Sequence, residues 1–377
     1  MATVSGSGSI WTVTSSLYVG DDQNATATLN VLNGATLNLG SNRIYISDDD
    51  STGIFNVSGG STVISGEAIF GNYSDTGRGI ANISGLGTTW TISDDLTLGY
   101  EGGSGELNIT QGAVVSAAGD LTMGYYDEGV TRGDLLISGP GSRLTIGGSA
   151  AIGDDRPAIV SVSNGGFFGV TGDAQIARDT TAPSTVTVTG ADSRFEANNL
   201  AVGDYGEGTL NVLDGGSVQT NNLTMGHNTG GVGTLLVDGP ESHVQANSSI
   251  IIGFNGTGTT TVSNGGWLES QGTLTIGDLG SGSLVVTGIG SRVTTGSDLI
   301  VGDGAEGSLT ISNGGKVIVN DGAGNTFVGS QQPLTRTVTV DGAGSELRTN
   351  ILNLGINGTG IATVSNGGTI TANKGLT

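Results

Sequence analysis

Residues 272–296 read GTLTIGDLGSGSLVVTGIGSRVTTG, and residues 297–321 read SDLIVGDGAEGSLTISNGGKVIVND. Each stretch contains an L-x-I/V-G segment, a turn rich in glycine and acid, a G-S-L-x-V/I segment, a second glycine turn and a third short apolar segment. The second turn reads G-x-G-S-R in the first stretch and S-N-G-G in the next. Repetition at a fixed period of about 20–50 residues is typical of proteins that stack one structural unit many times.

The L-x-I/V-G segment can be followed through the whole chain at spacings of 23 to 29 residues. The second turn alternates between its two types, so the full repeat is two coils, or about 50 residues. This pattern predicts about 14 coils. The segments end at Gly20, Ser47, Gly71, Gly99, Gly124, Gly153, Ala177, Gly203, Gly226, Gly253, Gly277, Gly302, Gly329 and Gly355.

The apolar residues of each coil alternate with period 2, which predicts strands and excludes amphipathic helices. Glycines at the corners allow tight turns. We therefore predict an all-β fold, a right-handed parallel β-helix (β-solenoid) of three short strands per coil. No change in composition marks a second domain, so residues 1–377 are predicted to form one solenoid segment. In the coil of residues 272–296 the side chains expected to point inward are Leu274, Ile276, Leu284, Val286 and Val293.

Composition limits the partners that the chain is expected to bind. Its 12 Lys and Arg against 34 Asp and Glu give a formal net charge of −22, which disfavours nucleic acid because phosphate contacts need clustered basic residues. The chain has no Cys, so it can form neither disulfides nor thiolate metal sites. No apolar run reaches the roughly 18 residues of a membrane helix, so no membrane insertion of this segment is expected.

The repeats L-x-I-G, G-x-L-x-V-S-x-G-G and G-x-G-S-x-L occur from Leu17 to Gly368. This pattern resembles the passenger region of bacterial type V autotransporters. The resemblance implies a right-handed β-helix that is secreted to the bacterial cell surface, outside the outer membrane, where passengers contribute to cell adhesion and virulence. It also implies that the chain is a segment of a longer surface protein.

The resemblance leaves three functions open. The first is a non-enzymatic adhesin or stalk for cell–cell, biofilm or host-surface attachment, with itself, a host or matrix protein, or a surface glycan as partner. The second is a secreted ligand for a host receptor of the integrin type, through the tripeptide Arg132-Gly133-Asp134 beside the loop 126–131. The third is a glycan-active β-helix enzyme, which would need convergent carboxylates. Because the acids recur regularly, we expect no catalytic residues.

Two sets of residues follow the L-x-I/V-G segment closely and are the candidate binding residues. An aromatic residue lies one or two positions after the segment in five coils, which predicts an exposed contact surface for protein or glycan. An Asp directly follows the glycine that ends the segment in five coils, which predicts either an outward acidic row that holds Ca²⁺ or aspartates that cap their own turns. No other metal or cofactor is expected. The aromatic residues are Tyr73, Tyr100, Tyr125, Tyr205 and Phe254, and the acidic residues are Asp21, Asp154, Asp204, Asp278 and Asp303.

Overall fold

The computed structural model describes residues 1–73, 76–125, 132–179, 183–329, 334–356 and 358–376. The chain is all-β and forms a parallel β-solenoid of about 14 turns, which confirms the predicted fold class. It divides into two compact units. The first comprises residues 1–186 and 192–197, and the second comprises residues 187–191 and 198–377.

The first unit contains the strands up to β23, except that the last residues of β22 belong to the second unit. The strands are β1 (Ala2–Ser5), β2 (Ile10–Thr12), β3 (Leu17–Val19), β4 (Thr26–Leu32), β5 (Thr36–Asn38), β6 (Ile44–Asp48), β7 (Thr52–Ser58), β8 (Thr62–Ser65), β9 (Ala68–Asn72), β10 (Arg78–Ser84), β11 (Thr89–Ile92), β12 (Leu96–Tyr100), β13 (Ser104–Thr110), β14 (Val114–Ala117), β15 (Leu121–Tyr125), β16 (Arg132–Ser138), β17 (Arg143–Ile146), β18 (Ala150–Ile152), β19 (Ala158–Ser163), β20 (Phe167–Val170), β21 (Ala174–Ile176), β22 (Ser184–Thr189) and β23 (Arg194–Glu196).

The second unit continues the same order of strands and adds a 3₁₀ turn at Asn320–Gly322. Its strands are β24 (Asn199–Val202), β25 (Glu207–Leu213), β26 (Ser217–Met225), β27 (Val232–Asp238), β28 (His243–Ile252), β29 (Thr257–Ser263), β30 (Trp267–Ser270), β31 (Leu274–Ile276), β32 (Gly282–Thr287), β33 (Arg292–Thr295), β34 (Leu299–Val301), β35 (Gly307–Ser312), β36 (Lys316–Val319), β37 (Thr326–Val328), β38 (Thr335–Asp341), β39 (Glu346–Leu354), β40 (Thr359–Ser365) and β41 (Thr369–Leu376).

Each coil contributes three strand segments, and each segment pairs in parallel with its equivalent in the next coil. In the coil 272–296 the segments are β31, β32 and β33, which pair with β34, β35 and β36 of the following coil. The third segment and the next first segment are sometimes continuous, as in β26 and β28. Because a strand cannot satisfy its backbone groups within its own coil, the hydrogen bonds between coils hold the solenoid together.

The inward side chains form the core of each unit, as predicted from their alternation. Leu274, Ile276, Leu284, Val286 and Val293 all have a relative exposure of 0%. Their outward neighbours remain partly exposed, which gives the repeated buried–intermediate pattern of β32. The apolar side chains of each coil are therefore buried by the other strands of the same coil and by the coils on either side.

The backbone approaches itself closely where the second strand begins. A Cβ at Gly282 would collide with the carbonyl oxygen of Ile252 and the amide nitrogen of Gly277. In β38 the equivalent position is occupied by Arg336, since Ser308 pairs with the residue that follows it, Thr337. The Arg336 side chain is fully buried, and its Nε and Nη1 donate to the carbonyl oxygens of Ala305 and Leu334 at 3.0 and 2.8 Å.

The two types of second turn are hydrogen-bonded to each other, which explains their alternation. The hydroxyl of Ser291, in a G-x-G-S-R turn, donates to the carbonyl oxygen of Thr287 at 2.7 Å and accepts the amide N–H of Gly265 at 3.0 Å. Gly265 belongs to the S-N-G-G turn of the preceding coil and has a φ of +95°. On the other side of this turn, towards the coil before it, the Asn264 side-chain amide donates to Asp238 Oδ1 at 2.6 Å. Equivalent Gly N–H to hydroxyl bonds join Gly60 to Thr88, Gly112 to Ser142, Gly165 to Ser193, Gly215 to Ser242 and Gly314 to Ser345.

An asparagine ladder adds a second set of contacts between coils in the first unit. Asn56, Asn82 and Asn108 each donate from the side-chain amide to the Oδ1 of the equivalent Asn one coil earlier, at 2.9, 2.9 and 3.0 Å. The ladder ends at Asn30, which donates to Thr3 Oγ1 at 3.3 Å. Since each amide donates to one neighbour and accepts from the other, the row satisfies its polar groups while it fixes the register of the strands.

The turn contact predicts the effect of replacing Ser291. The Ser291→Ala substitution should leave the amide of Gly265 without its acceptor, at a cost of about 1–2 kcal/mol, or roughly five- to thirtyfold in the opening equilibrium. Hydrogen exchange at Gly265 should therefore become faster by that factor. The matched control is Ser283→Ala on the outward face of β32, which should change exchange at Gly265 little. Unchanged exchange in Ser291→Ala would show that the hydroxyl does not clamp the turn.

Candidate contact surfaces

Three of the predicted contact residues form a tyrosine ladder in the first unit, defined here as Tyr73, Tyr100 and Tyr125. The ring centroids of Tyr100 and Tyr125 lie 5.2 Å apart with planes 18° from parallel, and those of Tyr73 and Tyr100 lie 6.3 Å apart, edge to face. Tyr73 is 63% exposed, and the other two are partly exposed. The ladder follows the first strands of successive coils, since Tyr100 and Tyr125 end the paired strands β12 and β15.

The central ring of the ladder is uncharged over the physiological range. Burial, and next the neighbouring Glu101 carboxylate, raise the pKa of Tyr100 to about 12. The phenol therefore keeps its proton and can donate a hydrogen bond. Stacked rings with hydroxyl groups at their edges present apolar area and polar groups together, a combination that suits contacts with proteins or with saccharides.

The remaining predicted aromatic residues lie in the second unit. Tyr205 is 56% exposed. Phe254 stacks on the His227 ring, with centroids 5.6 Å apart. A further stacked pair that the sequence analysis missed, Tyr18 and Tyr45 in the first unit, has centroids 4.7 Å apart and planes 4° from parallel. Both tyrosines occupy the middle of the L-x-I/V-G segment, at Cα-paired positions of β3 and β6.

The predicted outward acidic row is wrong for two of its five members. Asp154 and Asp204 are only 3% and 1% exposed. Asp154 forms an ion pair with Arg178 Nε at 2.9 Å, and burial raises its pKa despite that partner. Asp204 Oδ1 is bonded to His227 Nδ1 at 2.6 Å and accepts from the Asn228 side chain at 2.7 Å. These carboxylates can be buried because Arg178, His227 and Asn228 of the following coils form ion pairs or hydrogen bonds with them.

The other three acids, Asp21, Asp278 and Asp303, are at least partly exposed. Burial, and next the charge of Asp303, raise the pKa of Asp278. In the part of the chain that the structure describes, no group of three or more His, Asp or Glu is arranged to hold a metal ion. Calcium binding by these carboxylates stays a prediction.

The tripeptide Arg132-Gly133-Asp134 lies at the start of β16, while the loop 126–131 predicted beside it lies outside the described residues. Arg132 Nε and Asp134 Oδ1 form an ion pair of 2.7 Å on the outward face. Gly133 is buried between them and pairs with Gly105 of the preceding coil. The two charged groups are therefore engaged with each other on a sheet surface.

A row of stacked cations and aromatic rings, which the sequence analysis did not find, begins the third strands. In the second unit, the His243 and Trp267 rings are stacked with centroids 4.0 Å apart, and Arg292 Cζ lies 4.0 Å from the centroid of the same indole. In the first unit, Arg143 Cζ lies 4.6 Å from the Phe167 ring centroid. Arg143 and Arg292 directly follow turns of the G-x-G-S type, whereas their aromatic partners Phe167 and Trp267 directly follow turns of the S-N-G-G type.

Comparison with known proteins adds little to this geometry. No protein-family model matches the chain, and no curated protein matches it. One solved structure to which it is similar is the TibC-catalyzed hyper-glycosylated TibA55-350 fragment, with 17% sequence identity, a TM-score of 0.32, and 100% of each chain covered. A likeness of that extent carries no argument about function.

Among the described residues, no helix is long and apolar enough to cross a membrane.

The two histidines of the chain should titrate on opposite sides of the ordinary value of about 6.5. The hydrogen bond that the His227 ring makes to the Asp204 carboxylate raises the pKa of His227, and burial lowers the pKa of His243 beside Glu269. For His227 the raised pKa means that protonation stabilises the folded state. This stability is fully present below the unfolded pKa and is lost as the pH rises through the folded pKa.

Imidazole NMR titration tests this assignment, with His243→Gln and His227→Gln to identify the two signals. The Asp204→Asn substitution should lower the pKa of His227 because it removes the carboxylate, and it should leave His243 unchanged. A His227 pKa at or below about 6.5 in the unmodified chain would contradict the short contact with Asp204.

Proposed function

We propose that this chain is the passenger region of an autotransporter and acts outside the cell as a non-enzymatic adhesin or stalk. The observation that carries the proposal is the tyrosine ladder, where Tyr100 stacks on Tyr125, meets Tyr73 edge to face in the preceding coil, and leaves Tyr73 63% exposed. Exposed tyrosines bind with large contact area at a low cost in side-chain entropy.

The regular stacking of coils supports an adhesive role further. Each shallow contact on such a surface is weak, but contacts that repeat along a stiff support act together and gain strength through multivalency. The proposed partner is a second copy of the chain, a host or matrix protein, or a surface glycan. Two pairs of outward charges on the second strands are engaged with each other, Arg78 with Glu106 and Arg132 with Asp134, each at 2.7 Å.

A host-receptor ligand through Arg132-Gly133-Asp134 is the second function that the sequence suggested. The observed ion pair between Arg132 and Asp134 gives this function no added support, because a receptor would have to separate the two charges first. We therefore place the proposed contact on the tyrosine ladder.

A bead assay tests the proposal. Beads coated with the purified chain should aggregate with one another or adhere to matrix-coated surfaces or host cells. The Tyr73→Ser/Tyr100→Ser/Tyr125→Ser variant should lower adhesion by about tenfold or more, since aromatic residues dominate the energy of such contacts. The readout is the number of attached or aggregated beads.

The matched control removes exposed apolar side chains from another edge. Leu86 and Ile289 are 86% and 89% exposed in second turns, so Leu86→Ser/Ile289→Ser should adhere as the unmodified chain does. Absence of adhesion by the unmodified chain to any of these surfaces would refute an adhesive function. Equal adhesion by the tyrosine variant and its control would exclude the ladder as the contact surface.

A further inference from the structure

A groove of about 400 Å³ crosses the outward face of the third strands in the second unit. Its floor is formed by the Cα-paired residues Glu269, Thr294 and Ile318 of three successive coils. Three coils span about 10 Å at the spacing of parallel strands. Trp267 lies along one side, and the chain corners that contain Gln271 and Asn320 lie along the other. This volume is within the range of small-ligand sites.

The groove exists because one corner departs from the repeat. Six residues, 320–325, separate β36 from β37, whereas three residues, 296–298, separate β33 from β34. Asn320, Asp321 and Gly322 have successive left-handed φ angles of 44°, 50° and 85°. Two of them are not glycine, and such backbone strain is concentrated at functional sites. The Asn373 side chain holds the turn by donating to the carbonyl oxygen of Gly322 at 2.7 Å.

Two of the polar groups that line the groove are held in place by aromatic side chains beside them. His243 Nε2 lies 3.1 Å from Glu269 Oε2 and fixes that carboxylate on the floor. The indole N–H of Trp267 donates to Thr294 Oγ1 at 2.9 Å, so the hydroxyl proton of Thr294 points to another acceptor. Gln271, Asn320 and Asp321 are exposed at the rim. The lining therefore offers carboxylate, amide and hydroxyl groups around the apolar surface of Ile318.

The charges around the groove disfavour a strongly charged ligand of either sign. An anion would meet the carboxylates of Glu269 and Asp321. A cation would approach Arg292, whose Cζ lies 4.0 Å from the Trp267 ring, and Arg348, whose Nη2 lies 4.0 Å from Asp321 Oδ1. Both ring faces of Trp267 are covered by His243 and Arg292, so only its edge is available to a ligand.

We propose that this groove is a binding site for one or two units of an uncharged saccharide. Sugar hydroxyls would donate to Glu269 and Asp321 and bond to the amides of Gln271 and Asn320, while a C–H face packs against Ile318. The site lies on a different strand face from the tyrosine ladder and does not depend on the proposed function.

The test is a titration of the full chain with N-acetylglucosamine, N-acetylgalactosamine and galactose, followed by the chemical shifts of the Trp indole N–H groups. The neutral sugars should shift the Trp267 signal, which Trp267→Phe identifies among the three Trp of the chain. Glu269→Gln should weaken the binding constant by about tenfold, because it removes a charged acceptor. Gln271→Ala, an exposed substitution, should weaken it as well and serves if Glu269→Gln fails to fold.

The matched control is Gln245→Ala, which changes the residue that is Cα-paired with Glu269 one coil earlier and lies outside the groove lining. It should bind as the unmodified chain does. Glucosamine and N-acetylneuraminic acid, a cationic and an anionic sugar, should bind at least about tenfold more weakly than the neutral sugars.

Three results would overturn the proposal. The first is the absence of any neutral-sugar shift at Trp267. The second is tighter binding of glucosamine, which would make the groove a cation site. The third is equal binding by Glu269→Gln, Gln271→Ala and Gln245→Ala, which would place the sugar elsewhere. None of these results depends on bead adhesion, so they separate the groove from the proposed adhesin.

Discussion

The hydrogen bonds between neighbouring coils are the constraint on which the rest of the structure depends. A single coil of three short strands can neither satisfy its backbone nor cover its apolar side chains, so each coil is stable only between two others. The clamp of Ser291 on the Gly265 amide applies this constraint to the turns. It joins a turn type that supplies a hydroxyl to one that supplies an N–H, and so favours the alternation that gives the two-coil repeat.

Regular stacking has a direct consequence for the surface. Equivalent outward positions of successive coils lie in rows, so like residues meet along the solenoid and form ladders. The Asn82 side-chain amide donates to Asn56, Tyr100 and Tyr125 stack, and Arg292 covers Trp267. The same rule makes an exception conspicuous, as in the corner 320–325 beside the groove. The two proposed binding surfaces correspond to these two cases, the tyrosine ladder to a row and the groove to a break in the repeat.

The fold could be predicted from the sequence because its signal is periodic. Alternation placed Leu274 and Val293 inside, and both are buried. The burial of Asp204 could not be predicted, because it depends on a hydrogen bond with His227. That residue is 23 positions away in the sequence, and the stacking of the following coil brings it beside Asp204. The stacking of Trp267 between His243 and Arg292 was missed for a similar reason, because these partners lie in neighbouring coils and follow the other type of second turn. The groove depends on the left-handed backbone of Asn320 and Asp321, which has no pattern in the sequence.

The proposal that an aromatic row forms the adhesive contact is tested most directly by hydroxyl-radical footprinting of the chain in its adhered state. Oxidation of each residue would be compared between free chains and chains bound to one another or to the surface they attach to. We expect protection of Tyr73, Tyr100 and Tyr125, with Leu86 and Ile289 oxidised equally in both states. Protection confined to other residues, with the three tyrosines oxidised as in the free chain, would contradict it.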